Sequence, residues 1–328
     1  MKVLVTGANG FLSGHVIHEL IKSGYHVRTM MRNGAKAPAL EGLVFESFFG
    51  QITQENDVNN AVRGMDIVIH VAADTSQKHR HVNDYFPVNV NASRLLIQAV
   101  KNAGCRRMIY VSTANTMGYG SKEKPGNEEH EMSSLFKKSG YALSKSLAEK
   151  EVLHASITKE IDAVIVNPTF MIGPMDFNPH SGRILKMGLN KKLIFCPPGG
   201  KNFVDVRDVA KGIIRAMEKG QNGERYLLAG DNLSFREFFQ NVKQESHQKP
   251  KIIQISGWII QTAGFLGSIL KFLGFKSELS FNNSKILCIR NFYENKKAVN
   301  KLNMTFTNTN KTISDYLVWK NSIPSDQY

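Results

Sequence analysis

Short apolar runs alternate with amphipathic helical patterns over roughly the first half of the chain. The runs predict strands at residues 2–6, 26–31, 43–48, 66–72, 108–113 and 162–169, and the patterns between them predict helices at residues 11–22, 54–63, 84–103 and 140–156. The strand segments are rich in Val and Ile and hold few charges, which is typical of strands buried on both faces. This alternation favours right-handed crossovers, so we predict an α/β fold with a doubly wound parallel sheet.

The pattern changes after about residue 170, where Pro and Gly become frequent and loops are expected. A helix at residues 206–218 and a strand at residues 225–229 are predicted to rejoin the sheet. From residue 233 onward helical patterns dominate. We therefore expect residues 1–170, with 203–230 returning to them, to form the sheet domain. Residues 171–202 and 231–328 are expected to form a smaller, mainly helical lobe over the carboxyl edge of the sheet.

One long apolar stretch, residues 252–275, has two interpretations. We predict a helix that caps the substrate cleft, with Gly257, Gly264 and Gly267 breaking or packing it. Alternatively, lysines near its ends would help it to lie on an anionic membrane surface. No segment approaches the ~18 unbroken apolar residues that a spanning helix requires, so no transmembrane segment is predicted.

The composition is that of an ordinary globular chain of 328 residues, 42% hydrophobic and 21% charged. Cys105, Cys196 and Cys288 are far apart and no His cluster accompanies them. That spacing argues against disulfides and against a metal site, and it favours a reducing compartment, the cytoplasm. The net charge of +14 comes from basic residues that are scattered rather than clustered, so nucleic acid is not an expected partner.

A Gly-rich turn, Gly7-x-x-Gly10-x-x-Ser13-Gly14, follows the first predicted strand and opens the first helix. In such a turn the first glycine permits a tight backbone, and the second lets main-chain N–H groups approach a pyrophosphate at the helix N-terminus. Ser13 stands where a third glycine is usual, so the helix either lies slightly further out or uses Gly14 for its closest contact. The position between a first strand and a first helix favours dinucleotide binding.

The end of the second predicted strand bears on which dinucleotide is bound. An NAD-preferring protein usually has an acid about 20 residues beyond the glycines, whereas no acid occurs here between Arg32 and Glu41. Arg32 can hold a 2′-phosphate, and Lys36 can add a second charge. Arg28, within the strand, is an alternative. We predict NADP, with NAD as the second choice.

The sequence Tyr141-x-x-x-Lys145 falls in a helical pattern, so the phenol and the ammonium share one face. Reduction of a carbonyl needs a proton donor at oxygen, and tyrosine alone titrates at about 10. An adjacent cation favours the phenolate, so we expect the pKa of Tyr141 to move toward neutrality. Thr113, at the end of the fifth predicted strand, can orient the substrate oxygen. Together with the Gly-rich turn, these residues predict a nicotinamide-dependent oxidoreductase.

The chain resembles an extended short-chain dehydrogenase/reductase, of the superfamily that includes the NAD-dependent epimerase/dehydratases. The resemblance covers nearly the whole length: the opening turn, His70-Val71-Ala72-Ala73, Tyr110-Val111-Ser112-Thr113, Tyr141-x-x-x-Lys145, Asn167-Pro168-Thr169 and residues 203–210. The dihydroflavonol-reductase-like subgroup is the most similar, on residues 203–209, 223–230 and 232–238, on Phe292-Tyr293 and Lys297-Ala298, and on Arg32.

The resemblance implies a Rossmann-type NADP-binding domain at residues 1–170 and a substrate-binding lobe at residues 171–202 and 231–328. It implies that Tyr141 is the general acid/base, that Lys145 binds the nicotinamide ribose and tunes Tyr141, and that Thr113 polarises the carbonyl. Asn89 matches the family's helix asparagine that supports the lysine through water, although a buried amide bonded to the backbone explains it equally well. Since dimers are common in the family, the resemblance also allows a homodimer.

Residues expected to contact the cofactor lie in the Gly-rich turn, at strand ends and on the Tyr141 helix: Gly7, Asn9, Gly10, Phe11, Leu12, Arg32, Lys36, Gln51, Ile52, Ala72, Ala73, Tyr141, Lys145, Pro168, Thr169 and Phe170. Those expected to contact substrate are Thr113, Met117, Tyr141, Phe170, Met171 and Phe203. Two positions depart from the family. Gln51 stands where an acid is common near the adenine, and residues 114–118 lack the frequent tyrosine before glycine, which weakens a nucleotide-sugar assignment.

Three functions are compatible with these motifs. The first is an NADP-dependent carbonyl reductase or alcohol dehydrogenase acting on a small, mainly apolar substrate, and this is our prediction. The second is an NAD-dependent sugar-nucleotide epimerase or dehydratase. The third is a non-catalytic NADP-binding protein, which the complete set of Thr113, Tyr141 and Lys145 disfavours.

Overall fold

The computed structural model describes residues 1–76, 79, 81–177, 182–272 and 281–323, so the end of the apolar stretch, residues 273–275, lies outside the described residues. The strands are β1 (Lys2–Thr6), β2 (His26–Met31), β3 (Glu46–Phe49), β4 (Ile67–His70), β5 (Arg107–Val111), β6 (Ala163–Pro168), β7 (Phe170–Ile172), β8 (Leu193–Cys196), β9 (Gly200–Asp205), β10 (Arg225–Leu228), β11 (Asp231–Ser234), β12 (Lys251–Gln254) and β13 (Arg290–Asn291). The α-helices are α1 (Phe11–Lys22), α2 (Glu55–Val62), α3 (Ala92–Ala103), α4 (Gly140–Ile157), α5 (Arg183–Gly188), α6 (Val206–Lys219), α7 (Phe235–Glu245), α8 (Gly257–Phe272), α9 (Phe281–Cys288), α10 (Lys296–Leu302) and α11 (Thr309–Ser322).

Seven parallel strands form the main sheet in the order β3-β2-β1-β4-β5-β6-β10. Alternate residues of the central strands enter two hydrophobic cores, because successive side chains of a strand point to opposite faces. One core is covered by α1 and α6 and the other by α2, α3 and α4. The predicted doubly wound α/β fold is therefore confirmed, and β1, α1 and β2 have the predicted bounds.

Two predicted elements of the sheet domain differ clearly from the structure, and the bounds of its other elements agree to within two residues. The third strand was expected at residues 43–48, but β3 pairs with β2 only over Glu46–Phe49, because Leu43 and Phe45 pack against the core without joining the sheet. The helix expected at residues 84–103 is instead a 3₁₀ turn at Val82–Tyr85, a π-helical turn at Pro87–Asn91, and then α3. Pro87 has no N–H to donate, so a regular helix is interrupted there.

The later part of the chain adds a small mixed sheet, in which β9 pairs with β7, β11 and β13, and a parallel ribbon of β8 and β12. The C-terminal helix α11 is hydrogen-bonded to this region through two carboxylates, the buried Asp205 and the half-buried Asp231. Thr312 Oγ1 donates to Asp205 Oδ2 at 2.8 Å, and the backbone N–H of Thr309 donates to Asp231 Oδ2 at 2.7 Å. No helix within the described ranges is both long enough and apolar enough to cross a bilayer.

Candidate active site

The Gly-rich turn joins the carboxyl ends of three adjacent strands. Gly7 has a φ of 68°, and a Cβ at this position would lie 2.7 Å from the Cα of Ala72, just beyond β4. Its N–H donates to the carbonyl oxygen of Met30 in β2 at 3.0 Å. Both the left-handed backbone and the close approach require glycine here.

Ser13 compensates for the missing third glycine. Its buried hydroxyl donates to the carbonyl oxygen of Gly7 at 2.7 Å, which fastens the first turn of α1 to the Gly-rich loop. Gly14 does not provide the close contact with the strand that was one of our two expectations. A Cβ on Gly14 would instead lie 2.9 Å from the Cβ of Ala39, in the 3₁₀ turn Pro38–Leu40.

The start of α1 fits the phosphates of a dinucleotide. Gly10 is its N-cap, no side chain caps the helix, and the first turn contains no acidic residue. The first N–H groups therefore remain available to an anion, and the helix dipole favours negative charge there. Asn9 and Gly10 are exposed, Phe11 is half-buried and Leu12 is buried.

Arg32 and Lys36 are both exposed in the loop that follows β2, next to the Gly-rich turn. Arg28 is not available to a nucleotide in the same way. Its guanidinium donates to the carbonyl oxygens of Ala61 and Arg63, both at 2.9 Å, and it pairs with Glu46. Arg32 is therefore the better placed of the two arginines.

The remaining predicted cofactor residues also lie at the carboxyl edge of the sheet. Gln51 is exposed and Ile52 half-buried just after β3, and the N–H of Gln51 donates to Asp57 Oδ2 at 2.8 Å. Ala72 and Ala73 follow β4. Pro168, Thr169 and Phe170 span the junction of β6 and β7.

Tyr141 and Thr113 meet at this same edge. Tyr141 lies in the first turn of α4, which Ser139 caps, and Thr113 follows β5. Burial raises the pKa of Tyr141 to about 12; it outweighs the opposing effect of the nearby Thr113 hydroxyl, and the neighbouring Tyr85 adds to the increase. We expected a lower pKa, and that expectation is wrong for the polypeptide alone.

The position of Lys145 explains this result. Its Nζ donates to the carbonyl oxygen of Val111 at 2.8 Å and lies 4.1 Å from the centre of the Tyr110 ring. Burial lowers the pKa of Lys145 to about 7, against an opposing effect of Glu149. The desolvated ammonium is partly neutral near pH 7, so it does not offset the burial of the Tyr141 phenol.

The side-chain amide of Asn89 forms three hydrogen bonds with neighbouring protein groups. Its side chain accepts from the N–H of Asp74 at 2.7 Å and donates to the carbonyl oxygen of Asp74 and to Ser144 Oγ, both at 3.0 Å. Ser144 directly precedes Lys145 on α4, so Asn89 connects the loop after β4 to the helix that carries the Tyr141–Lys145 pair.

Glu149, one turn beyond Lys145, was not foreseen from the sequence. Its buried Oε2 accepts from Ser112 Oγ at 2.5 Å, Thr116 Oγ1 at 2.9 Å and Asn167 Nδ2 at 2.8 Å. Its Oε1 pairs with Arg225 at 3.3 Å. The only sequence signal was a carboxylate at i+4 from Lys145, and this spacing on its own does not distinguish a buried hub from a surface residue.

Tyr85 and His70 are two further unforeseen neighbours of the site. The Tyr85 ring lies 6.4 Å from the Tyr141 ring, and its hydroxyl donates to the carbonyl oxygen of Ser76. His70 is buried between Thr6 and Ser93. Its Nδ1 lies 2.8 Å from Thr6 Oγ1, and its Nε2 lies 3.2 Å from Ser93 Oγ. Burial and the charge of Lys145 lower its pKa to about 3, so His70 is neutral and serves to tie β1, β4 and α3 together.

The predicted substrate residues divide into two groups. Phe170 and Met171 are half-buried on β7. Met117 and Phe203 are in the core, against our expectation: Met117 packs with Leu227 and Tyr293, and Phe203 stacks on Phe238 at 4.3 Å. Because the side chains of Met117 and Phe203 are packed in the interior, these two residues support the site and do not line it.

Lys201 is a polar neighbour of this region that the sequence did not reveal. Its Nζ lies 4.7 Å from the centre of the Phe170 ring, and burial lowers its pKa to about 8. It adds one cationic group beside the half-buried apolar side chains of β7.

Comparison with known proteins agrees with this arrangement. The model of the NAD dependent epimerase/dehydratase family matches residues 3–229. Sterol demethylase protein B of Methylococcus capsulatus is 30% identical over 77% of each chain. A putative dihydroflavonol 4-reductase of Synechocystis sp. is 26% identical over 96% of this chain and 93% of its own. The crystal structure of gox2253 superimposes with a TM-score of 0.85 and 28% identity over 98% of each chain.

The fold and the arrangement of Gly7, Thr113, Tyr141 and Lys145 define a nicotinamide-dependent enzyme of the extended short-chain dehydrogenase/reductase superfamily. The chain belongs to the NAD-dependent epimerase/dehydratase family and is an NAD(P)-dependent oxidoreductase. The family and the enzyme class predicted from the sequence are thus confirmed.

Proposed function

We propose that this protein is an NADP-dependent reductase of a small, mainly apolar carbonyl compound, or a dehydrogenase of the corresponding alcohol, with Tyr141 as general acid/base. One observation carries the proposal: Tyr141, in the first turn of α4, and Thr113, directly after β5, come together at the carboxyl edge of the sheet, close enough for Thr113 to lower the pKa of the phenol. Two hydroxyls that converge in this way can both donate to one carbonyl oxygen.

In the proposed mechanism, bound nicotinamide supplies or accepts the hydride at the substrate carbon. Tyr141 is protonated at neutral pH because its pKa is about 12, so it donates its phenolic proton to the carbonyl oxygen during reduction. Thr113 donates a second hydrogen bond to the same oxygen. Lys145, one turn beyond Tyr141 on α4, would bind the nicotinamide ribose when the cofactor is present, and its hydrogen bond to the carbonyl oxygen of Val111 fixes its position.

The choice of NADP rests on the loop after β2. Arg32 is exposed there beside the Gly-rich turn, whereas Arg28 is bonded to the end of α2. No acid occurs between Arg32 and Glu41 that could accept the ribose hydroxyls of NAD. A guanidinium in this position can bind a 2′-phosphate through two hydrogen bonds.

Replacing Arg32→Gln is expected to raise the KM for NADPH by about 10- to 100-fold, the value of a lost charge-assisted hydrogen bond, and to change the KM for NADH little. Steady-state kinetics with both cofactors would measure this. Arg63→Gln is a matched control because Arg63 is an exposed arginine just beyond α2. An equal change for both cofactors, or none, would contradict the assignment of the 2′-phosphate to Arg32.

The substrate class follows from the border of the proposed substrate lobe, residues 171–202 and 231–328. Phe170 and Met171 offer half-buried apolar surface next to Thr169, and the relatives from M. capsulatus and Synechocystis are named for a sterol and a dihydroflavonol. Both are largely apolar ring compounds, which supports an apolar carbonyl substrate.

A substrate panel tests the proposal against its alternatives. Purified protein would be given aliphatic, aromatic and steroidal ketones with NADPH or NADH, and in parallel UDP-glucose without added reductant. We expect NADPH to be consumed in step with alcohol formation. Interconversion of UDP-sugars without net redox change would establish the epimerase instead, and nucleotide binding without turnover across both assays would establish a non-catalytic binding protein.

A further inference from the structure

The helix α8 directs its large apolar side chains into solvent. Trp258, Ile259, Phe265, Leu266 and Leu270 are each between 45% and 69% exposed. At about 100° per residue they lie within one side of the helix. This is the opposite of a helix in a water-soluble bundle, where such residues face the core.

The opposite side of α8 is made of small residues and is fixed in place. Gly264 and Gly267 are buried. Ser268 Oγ donates to the carbonyl oxygen of Gly264 at 3.0 Å and accepts from the N–H of Phe281, at the start of α9, at 2.8 Å. The end of α9 returns to the beginning of α8, where the Cys288 thiol lies 3.8 Å from the carbonyl oxygen of Gly257. The outward direction of the apolar side is therefore set by packing.

The ribbon of β8 and β12, which directly precedes α8 in the chain, also has exposed apolar residues. Leu193, Phe195 and Ile253 are exposed, and Phe195 pairs with Ile253 across the ribbon, so these side chains share one face. The chain passes from β12 into α8 with only two residues between Gln254 and Gly257. We call the exposed apolar residues of β8, β12 and α8 the lobe face.

Basic residues border the lobe face at one end. Lys191 and Lys192 precede β8, Lys249 precedes β12, and Lys251 begins it; all four are exposed. Because the two strands are parallel, their starts lie side by side, and the N–H of Lys251 donates to the carbonyl oxygen of Lys192 at 3.0 Å. Residues 185–196 and 246–272 contain no Asp or Glu.

We propose that the lobe face binds the surface of an anionic lipid bilayer. Its aromatic and aliphatic side chains enter the headgroup region, and the four lysines contact acidic headgroups. An apolar helix face with adjacent lysines and without acids is complementary to such a surface. A protein partner fits less well, because lysine is depleted from protein–protein interfaces. The proposal is independent of substrate and cofactor, since lipid binding is measured without turnover.

Fluorescence of Trp258 provides the direct test. The chain has two tryptophans, and Trp319→Phe leaves Trp258 as the only one. With vesicles of phosphatidylcholine and phosphatidylglycerol, we expect its emission to shift to the blue and to be quenched by brominated acyl chains. With vesicles of phosphatidylcholine alone, we expect much weaker binding. Emission that neither shifts nor is quenched on anionic vesicles would overturn the proposal.

Co-sedimentation with the same vesicles tests the charges. Replacing Lys191, Lys192, Lys249 and Lys251 together with Gln is expected to weaken binding by about 600-fold, at about fivefold per lysine. The matched control replaces Lys22, Lys150, Lys219 and Lys301, four exposed lysines elsewhere, and removes the same net charge. Equal loss in both variants would show binding through net charge alone and would overturn the proposal.

A second pair of variants tests the apolar contacts. Phe265→Gln with Leu266→Gln is expected to weaken vesicle binding at least about tenfold. Val44→Gln with Val318→Gln is the control, because both valines are exposed outside the lobe face. Circular dichroism would confirm that each variant is folded. Sedimentation equilibrium would test a competing role of the lobe face. If the unsubstituted protein is a dimer that binds no vesicles, and only the Phe265/Leu266 double variant is monomeric, then the lobe face joins two copies of this chain. That result would overturn the proposal.

Discussion

Replacing Tyr141→Phe is expected to lower kcat for carbonyl reduction by about 10²- to 10⁴-fold, the usual contribution of a general acid/base. The hydroxyl of Tyr141 is the group that would donate the proton, and its pKa of about 12 keeps it protonated throughout the neutral range. The variant retains the ring and loses only the phenolic hydroxyl. We therefore expect affinity for NADPH, measured by fluorescence titration, to change by less than about threefold, because the interaction lost is used in the transition state.

Tyr85→Phe is the matched control for this substitution. Its ring lies 6.4 Å from that of Tyr141, but its hydroxyl is bonded to the carbonyl oxygen of Ser76 and does not face Thr113. We expect kcat to fall by less than about tenfold, the effect of a moderate change in packing. A Tyr141→Phe protein that keeps more than a tenth of the activity would mean that another group donates the proton.

Glu149→Ala is expected to lower the free energy of unfolding by about 3–5 kcal/mol, since it removes a buried carboxylate, breaks its ion pair with the half-buried Arg225 and leaves its other partners unsatisfied. Glu149 accepts from Ser112, Thr116 and Asn167 and pairs with Arg225, so one substitution affects two adjacent strands, the loop after β5 and the end of the sheet. Urea unfolding followed by both circular dichroism and fluorescence would measure the loss and test for two-state behaviour.

Glu151→Ala is the control on the same helix. Glu151 forms an exposed ion pair with Arg94 at 2.6 Å, and exposed pairs contribute about 0–1 kcal/mol. If Glu149→Ala lowers the free energy of unfolding by less than about 1 kcal/mol, the hydrogen bonds and the ion pair of Glu149 do not contribute to stability as proposed.

Glu149→Ala is also expected to lower kcat in the fraction of the protein that remains folded. The carbonyl oxygen of Thr113 accepts from Asn167 Nδ2 at 3.2 Å and lies 2.9 Å from Thr116 Oγ1, whose single hydroxyl proton can be donated either to this carbonyl or to Glu149; Asn167 also donates to Glu149. Glu149 is thus a positioning residue for Thr113. Stability measured alone would not reveal this effect, whereas kcat at a temperature well below the transition would.

Local sequence patterns predicted most of the strands of the sheet, because each central strand is buried and is therefore marked by a run of apolar residues. The bounds of β1, α1 and β2 follow from alternation between apolar runs and an amphipathic helix. The edge strand β3 was displaced because apolar residues before it pack against the core instead of pairing. The interruption at Pro87 follows from its missing N–H, but the choice of a π-helical turn depends on packing that the sequence pattern does not contain.

The candidate site was predictable where a short motif has a direct geometric meaning. Tyr141 and Lys145 share a helix face, and the end of β5 brings Thr113 to Tyr141. The electrostatics were not predictable, because the pKa of Tyr141 depends on how deeply the phenol is buried. Glu149 was missed for a related reason: its partner Arg225 lies 76 positions away, and only the folded sheet brings them together.

The order of strands in the sheet has a consequence for synthesis on the ribosome. Strand β10 is the neighbour of β6 in the sheet, yet residues 169–224 are synthesised between them. At about 5–20 residues per second, this segment takes roughly 3–11 s to produce. Throughout that interval β6 is an edge strand of the nascent sheet, because its neighbour β10 has not yet been made. Glu149 is also without its ion-pair partner Arg225. An open parallel edge can pair with other chains. The nascent protein is therefore most exposed to aggregation and to chaperones between the completion of β6 and the arrival of β10.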